Sequence, residues 1–264
     1  MTTEPTTTPT PHRRWLQFSL RTLMVLVLIC SVPCGWAAWK LKQAREQREA
    51  VDAIEELGGI VGWDEASKPK WLPAILSDDL FRRAIRADIN FPRPGYSPPP
   101  NSTLGLEHLH ALTHLQCLRI NYTQMTDSKT QYLKGLGQLR ELEMVYVEIS
   151  GADLDAIGGL THIQRLRFFG TNVSDAGLAR LRKLVRLESL DLYNTQVTDD
   201  GLASLQGMNH LQSLDLQWTR VTDTALWRLA TLSELKSLHV HGTKVTDDGV
   251  AELQKALPNC KITR

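Results

Sequence analysis

The sequence predicts an α/β solenoid preceded by a single transmembrane helix, and three observations carry that prediction. A 24-residue unit recurs from Leu115 onward, with its leading apolar residue at Leu115, Leu139, Ile163, Leu187, Leu211 and Leu235 and no slip in register. Inside each unit the apolar spacing switches from two (Leu190, Leu192) to three (Leu202, Leu205, Met208). Ahead of the repeats, Thr22 to Trp39 contains no charged residue. A fixed period of this length marks a solenoid, because each unit can bury its apolar face only against its neighbours.

Taken from the N-terminus, residues 1–21 form a tail whose first eleven are rich in Thr and Pro with almost no apolar content, a composition that favours disorder. Residues 22–39 are the transmembrane segment. As a helix it would be about 27 Å long, close to the hydrocarbon thickness of a bilayer. Trp15, Phe18, Trp36 and Trp39 fall near its edges, where aromatic side chains favour the interface. Gly35-Trp36-Ala37 is a poor signal-cleavage sequence, so the segment is expected to be a retained anchor. Arg13, Arg14 and Arg21 before it are matched by Lys40, Lys42, Arg45 and Arg48 after it, so charge gives no orientation. A short tail ahead of one span more often belongs to a signal anchor, so the repeats are expected on the extracytoplasmic side.

Residues 40–70 are expected to be a helical juxtamembrane linker, alanine- and charge-rich up to Leu57 and ended by Gly58-Gly59. Residues 71–114 read as an N-terminal cap and a degenerate first repeat. The cap is α-rich from about Trp71 to Ala87, and a strand around Ala87 to Phe91 is displaced by the insert Pro92 to Pro100. Leu106, Leu109 and Leu112 continue in phase with the helices that follow.

Residues 115–264 are the repeat domain, with a final strand expected within Leu257 to Ile262. In the fourth copy Leu190 and Leu192 point to one side of a strand, while Ser189, Asp191 and Tyr193 point to the other. Leu202, Leu205 and Met208 suit a short helix or 3₁₀ turn laid on the same core. Thr198-Asp199 stands where that helix begins, and its hydroxyl and carboxylate are expected to cap the orphan amides. Ser174-Asp175, Thr222-Asp223 and Thr246-Asp247 repeat the device. Copy two has Val147 and Gly151 where the pattern asks for Thr and Asp, which predicts a weaker helix start there.

The pattern L-x-x-L-x-L-x-x-T-x-V-[ST]-[DG]-x-x-L resembles the leucine-rich repeat family, in its T-x-V-T-D-x-G-L subtype. That resemblance implies parallel strands on a concave face and helices on a convex one. Phe18 to Leu23, Ala53 to Gly59 and Asp78 to Arg83 resemble the membrane-proximal start of leucine-rich repeat proteins from planctomycete-like bacteria, which implies an envelope location.

Thirty basic against twenty-nine acidic residues give a formal charge of +1, so nothing points to nucleic acid. No nucleophile elbow, phosphate loop, HExxH or dinucleotide fingerprint occurs, and the chain is read as a non-enzyme without a cofactor. Function is expected where the repeat leaves residues free, as a surface for an unidentified protein partner. Its members are Arg119, Tyr122, Tyr146, Arg167, Phe169, Asp191, Tyr193, Asp215, Trp218, His239 and His241. Tyr, Trp and Arg anchor interfaces because each joins large apolar area to a polar tip. Asp191, Asp215, His239 and His241 are also the candidate ligands for a metal, since carboxylate and imidazole suit divalent cations. Two alternatives stand beside the binding module: a structural envelope protein that self-associates, and a metal-dependent hydrolase using the Asp/His cluster.

Overall fold

The computed structural model describes residues 20–56, 58–64, 82–90, 106–122, Leu133 and 135–264. The chain divides into two units, 1–42 and 43–264. Helix α1 spans Leu20–Glu56. In the first unit Met24, Val32, Trp36, Trp39 and Leu41 are exposed apolar side chains on this helix. Among the described residues no helix is long and apolar enough to cross a membrane. The most apolar stretch of the expected span, 25–30, lies outside the described side chains.

In the second unit Ala50, Val51 and Ile54 of α1 are buried in the core. The helix ends as its sequence requires. Gly58 takes φ +77°, and the amides of Gly58 and Gly59 donate to the carbonyls of Glu55 and Ile54, both at 2.9 Å. That pair of bonds is a Schellman stop, which needs a left-handed residue and so favours glycine.

Among the described residues nine strands form one sheet in sequential order. They are β1 (Ile60–Trp63), β2 (Ala84–Asn90), β3 (Cys117–Asn121), β4 (Glu141–Val145), β5 (Arg165–Phe169), β6 (Ser189–Asp191), β7 (Ser213–Asp215), β8 (Ser237–His239) and β9 (Lys261–Thr263). From β3 on the pairing is parallel and advances 24 residues per strand, as in Leu142↔Leu166 and Leu190↔Leu214. Arg86 of β2 pairs with Cys117, 31 residues on, so the insert at 92–100 lies in this one lengthened step. Two expectations are corrected here. Residues 60–63, placed in a helical linker, form a strand antiparallel to β2, and residues 84–87, placed in an α-rich cap, belong to β2 itself. The end of the expected linker, 65–70, and the expected cap from 71 to 81 lie outside the described residues.

The core is a set of apolar ladders. Leu118, Leu142, Leu166, Leu190, Leu214 and Leu238 make one buried column, and Ile120, Met144, Phe168, Leu192, Leu216 and Val240 make the next. Helices α2 (Gly151–Gly158), α3 (Asp175–Arg180), α4 (Asp223–Leu229) and α5 (Asp247–Ala256), with a 3₁₀ turn at Gly201–Leu205, lay their leucines on the same core. The buried threonine of the motif has a clear role. The hydroxyls of Thr195, Thr219 and Thr243 donate to the carbonyls of Leu192, Leu216 and Val240 at 2.8, 2.6 and 2.6 Å. A buried hydroxyl left unpaired would be costly. Val147, which has no hydroxyl, sits at the same place without that need.

The carboxylates of the Thr-Asp pairs do not cap their own helices; they join one copy to the next. Asp175 accepts from the Thr198 amide and hydroxyl at 2.8 and 2.6 Å. Asp199 does the same for Thr222 at 2.7 and 2.6 Å, and Asp223 for Thr246 at 2.7 and 2.6 Å. Two of the hydroxyls do the capping, Thr222 accepting from the Thr224 amide and Thr246 from the Gly249 amide. Copy two also departs from expectation. Its helix carries a complete capping box, with Ser150 accepting from the Asp153 amide and Asp153 accepting from the Ser150 amide. The link to copy three is made there by Asn172, whose side chain accepts from the Ile149 amide and donates to its carbonyl.

Candidate functional site: the outer face of the sheet

Strand residues that alternate with the buried leucines project from the other face of the sheet. One column carries alternating charge across five strands: Asp88, Arg119, Glu143, Arg167 and Asp191. Arg119 Nε lies 3.9 Å from Asp88 and 3.1 Å from Glu143, and Arg167 lies 3.4 Å from Glu143 and 2.8 Å from Asp191. A second pair, Arg165 and Glu141, meets at 2.8 Å in the adjoining column. Burial alone would raise the Glu141 carboxyl, but the hydrogen bond and charge of Arg165, with the charge of Arg119, hold it below its ordinary range. Arg119 and Arg167 therefore each lie between acids on adjacent coils, and this half of the face is nearly neutral.

The ladder breaks after Asp191. Its next neighbours in register are Asp215 and then His239. Burial, with the Asp215 charge adding to it, pushes the Asp191 carboxyl up, against the opposing pull of the Tyr193 amide and Arg167. Asp215 accepts from the Gln217 amide at 2.8 Å and the Gln217 side chain at 3.0 Å. His239 Nδ1 lies 2.6 Å from the Thr263 hydroxyl, and His241 meets the Trp218 ring edge-on at 5.7 Å. The four candidate metal ligands are thus each engaged locally, and among the described residues no three or more such side chains gather to hold an ion.

The aromatic residues form the most distinctive feature. Tyr122, Tyr146, Gly170, Asn194, Trp218 and Gly242 occupy one position in successive copies, and all six have positive φ, from 51° to 71°. That left-handed conformation costs a non-glycine residue roughly 1–2 kcal/mol, and bulky residues seldom adopt it. Amides at this position continue the ladder beyond the strands, as Tyr146 donates to Phe169 at 2.8 Å and Trp218 to His241 at 3.0 Å. The two glycines have a second reason. A Cβ on Gly170 would stand 2.5 Å from the Tyr146 ring, and one on Gly242 would stand 2.8 Å from the Trp218 ring. The Tyr146 and Trp218 rings therefore each lie across the next coil, over a residue with no side chain.

The rings connect. Tyr122 stacks on Tyr146 at 5.5 Å, Tyr146 meets Phe169 edge-on at 5.4 Å, and Phe169 stacks on Tyr193 at 4.3 Å with planes 2° apart. Arg167 lies over Phe169 at 5.3 Å, tying the aromatic strip to the charge ladder. Four coils are spanned, about 15 Å at about 4.8 Å per strand. Trp218 and His241 form a separate patch. Tyr146 and Trp218 remain 47% and 53% exposed. Of the eleven residues singled out from the sequence, Arg119, Arg167 and Asp191 join the ladder and the aromatics line its edge. Glu141, Arg165, Gly170 and Gly242 complete the surface and were not marked by sequence.

The strict 24-residue strand register, the leucine columns and the buried threonines define the class. The fold is a leucine-rich repeat solenoid. The sequence model described as "Leucine Rich repeat" matches residues 207–228. No curated protein matches. Among solved structures, internalin C2 of Listeria monocytogenes is 28% identical, with a TM-score of 0.49 over 60% of this chain and 64% of its own. A leucine-rich repeat protein of Leptospira interrogans is 16% identical, with a TM-score of 0.42 over 60% of this chain and 51% of its own. A further Listeria monocytogenes internalin is 18% identical, with a TM-score of 0.38 over 59% and 56%. The chain spans less than two thirds of the length of each.

Proposed function

We propose that this chain is a membrane-anchored binding module that holds a protein partner on the concave, strand-lined face of its solenoid. The observation that carries the reading is the placement of Tyr122, Tyr146 and Trp218 in the left-handed position. Other copies put glycine or asparagine there, so the fold does not require an aromatic residue. A strained position filled by a large, half-exposed ring points to use of the ring at the surface. The charge ladder adds orientation, since a neutral, internally paired array presents ordered polar groups without a strong field. The uncharged run 22–39 supports the anchor.

Photo-crosslinking in intact cells tests both parts. A photoreactive residue at Tyr193 or Trp218 of the full chain should yield an adduct with another protein, recovered in the carbonate-resistant membrane pellet. The same adduct formed from Gln206, on the helical side, would contradict the surface assignment. Recovery of the full chain in the soluble fraction would contradict the anchor.

A further inference from the structure

The helical side holds two grooves between successive helices. The first, about 580 Å³, lies between α2 and α3 and is lined by Asp155, Gly158, Ala176, Ala179, Arg180 and Lys183 among others. The second, about 470 Å³, lies between α4 and α5, with Leu226, Trp227, Ala230, Asp248, Glu252 and Leu253 in its walls. They are the same groove three copies apart. Asp155 corresponds to Trp227, Gly158 to Ala230, Ala176 to Asp248 and Arg180 to Glu252, each 72 residues on.

The two grooves differ in charge at some of these positions: Arg180 is replaced by Glu252 and Ala176 by Asp248, whereas Lys183 is matched by Lys255. The first groove is floored by small residues and rimmed by Arg182 and Lys183, both exposed. The second carries exposed carboxylates at Asp248 and Glu252, the latter paired with Lys255 on its own helix, beside an indole that is 59% exposed. The repeat does not need that indole, since the other copies have Asp155, Ala179, Ala203 and Ala251 in its place. Arg228 lies over the Trp227 ring at 4.8 Å and holds it in one orientation. Trp with Arg is a pairing typical of interface anchors.

We propose that this face joins two copies of the chain in an isologous dimer, the first groove of each copy receiving Trp227 of the other. In a two-fold pairing, residue i meets j while j meets i. Two complementary grooves on one face satisfy that condition. The axis falls midway between them, over copy four, where the helix is reduced to the 3₁₀ turn Gly201–Leu205. Ala203, Ser204 and Gly207 near that point leave room for close approach. The grooves are three coils apart. Asp248 and Glu252 of one copy then face Arg182 and Lys183 of the other, at both ends of the contact.

Sedimentation velocity of the full chain in mild detergent tests this. Wild type should pass from monomer to dimer across the micromolar range, and Trp227→Ala should weaken dimerisation by tenfold or more. Arg182→Glu/Lys183→Glu and Asp248→Lys/Glu252→Lys should each dimerise poorly alone, yet restore wild-type dimerisation when mixed. The mixture recovers only if each groove meets the other kind, and it also shows that both variants are folded. Tyr193→Ala and Trp218→Ala should leave dimerisation unchanged, which separates this contact from the sheet-face surface. Wild type that stays monomeric, dimers indifferent to these changes, or a mixture that fails to recover would each overturn the proposal.

Discussion

Removing the Asp199 carboxylate measures what one copy contributes to holding the next. Both of its oxygens are used, one by the Thr222 amide at 2.7 Å and one by the Thr222 hydroxyl at 2.6 Å. Hydrogen bonds to a charged group contribute about 1.5–3 kcal/mol each, and a buried amide left unpaired costs about 1–3 kcal/mol. Both bonds end on the same residue and the carboxylate is only half-buried, so the two do not add in full. Asp199→Ala should therefore destabilise by about 2–3 kcal/mol, against about 1 kcal/mol for loss of an ordinary helix cap. Urea denaturation followed by far-UV circular dichroism reads the difference. With a slope of about 2–3 kcal/mol per molar, the midpoint should fall by about 1 M. Asp200→Ala is the control. That residue is exposed, stands at the start of the 3₁₀ turn and makes no side-chain cap bond. Its loss should stay within about 0.5 kcal/mol. Equal, small effects from the two variants would refute the inter-copy role.

Gly170→Ala should destabilise by about 1–2 kcal/mol from the left-handed backbone alone, with more from the contact at 2.5 Å with the Tyr146 ring. Adding Tyr146→Ala should relieve the second part, so strictly additive losses would contradict the ring-over-glycine packing. Acid stability reports on Asp223, whose carboxyl is held below its ordinary range by the hydroxyl and then the amide of Thr246. Because the folded value is depressed, this stabilisation is complete above the ordinary aspartate value of about 3.9 and is lost as pH falls through the depressed value. Asp223→Asn should flatten the stability–pH curve below about pH 4, and an unchanged acid limb would contradict the assignment.

The sheet was legible in the sequence because every copy repeats its leucines without a slip, and parallel pairing converts that period directly into register. Leu142, Leu166 and Leu190 align in space because they are already 24 residues apart in the chain. The first strand was not legible, since Ile60–Trp63 pairs antiparallel and lies outside the repeat. The Thr-Asp pairs misled in direction. A hydroxyl and a carboxylate at a helix start suit capping equally well, and only the 23-residue span from Asp199 to Thr222 shows that the carboxylate faces the next coil. The left-handed column was hidden by its own variety. Tyr122, Tyr146, Gly170, Asn194, Trp218 and Gly242 look unrelated until their shared φ is seen, though two glycines and an asparagine in one column were a signal. The charged residues were visible one at a time, but their alternation across adjacent strands gains meaning from the distances between them.

The sheet-face claim is tested most directly by the affinity of the partner captured from Tyr193 or Trp218. Measured by calorimetry against the full chain, Tyr193→Ala and Trp218→Ala should each weaken binding by about 1–3 kcal/mol, with the fold unchanged by circular dichroism. Gln206→Ala, on the exposed helical side, should leave affinity within about twofold of wild type. Full affinity in the two aromatic variants, or an equal loss in all three, would contradict the account.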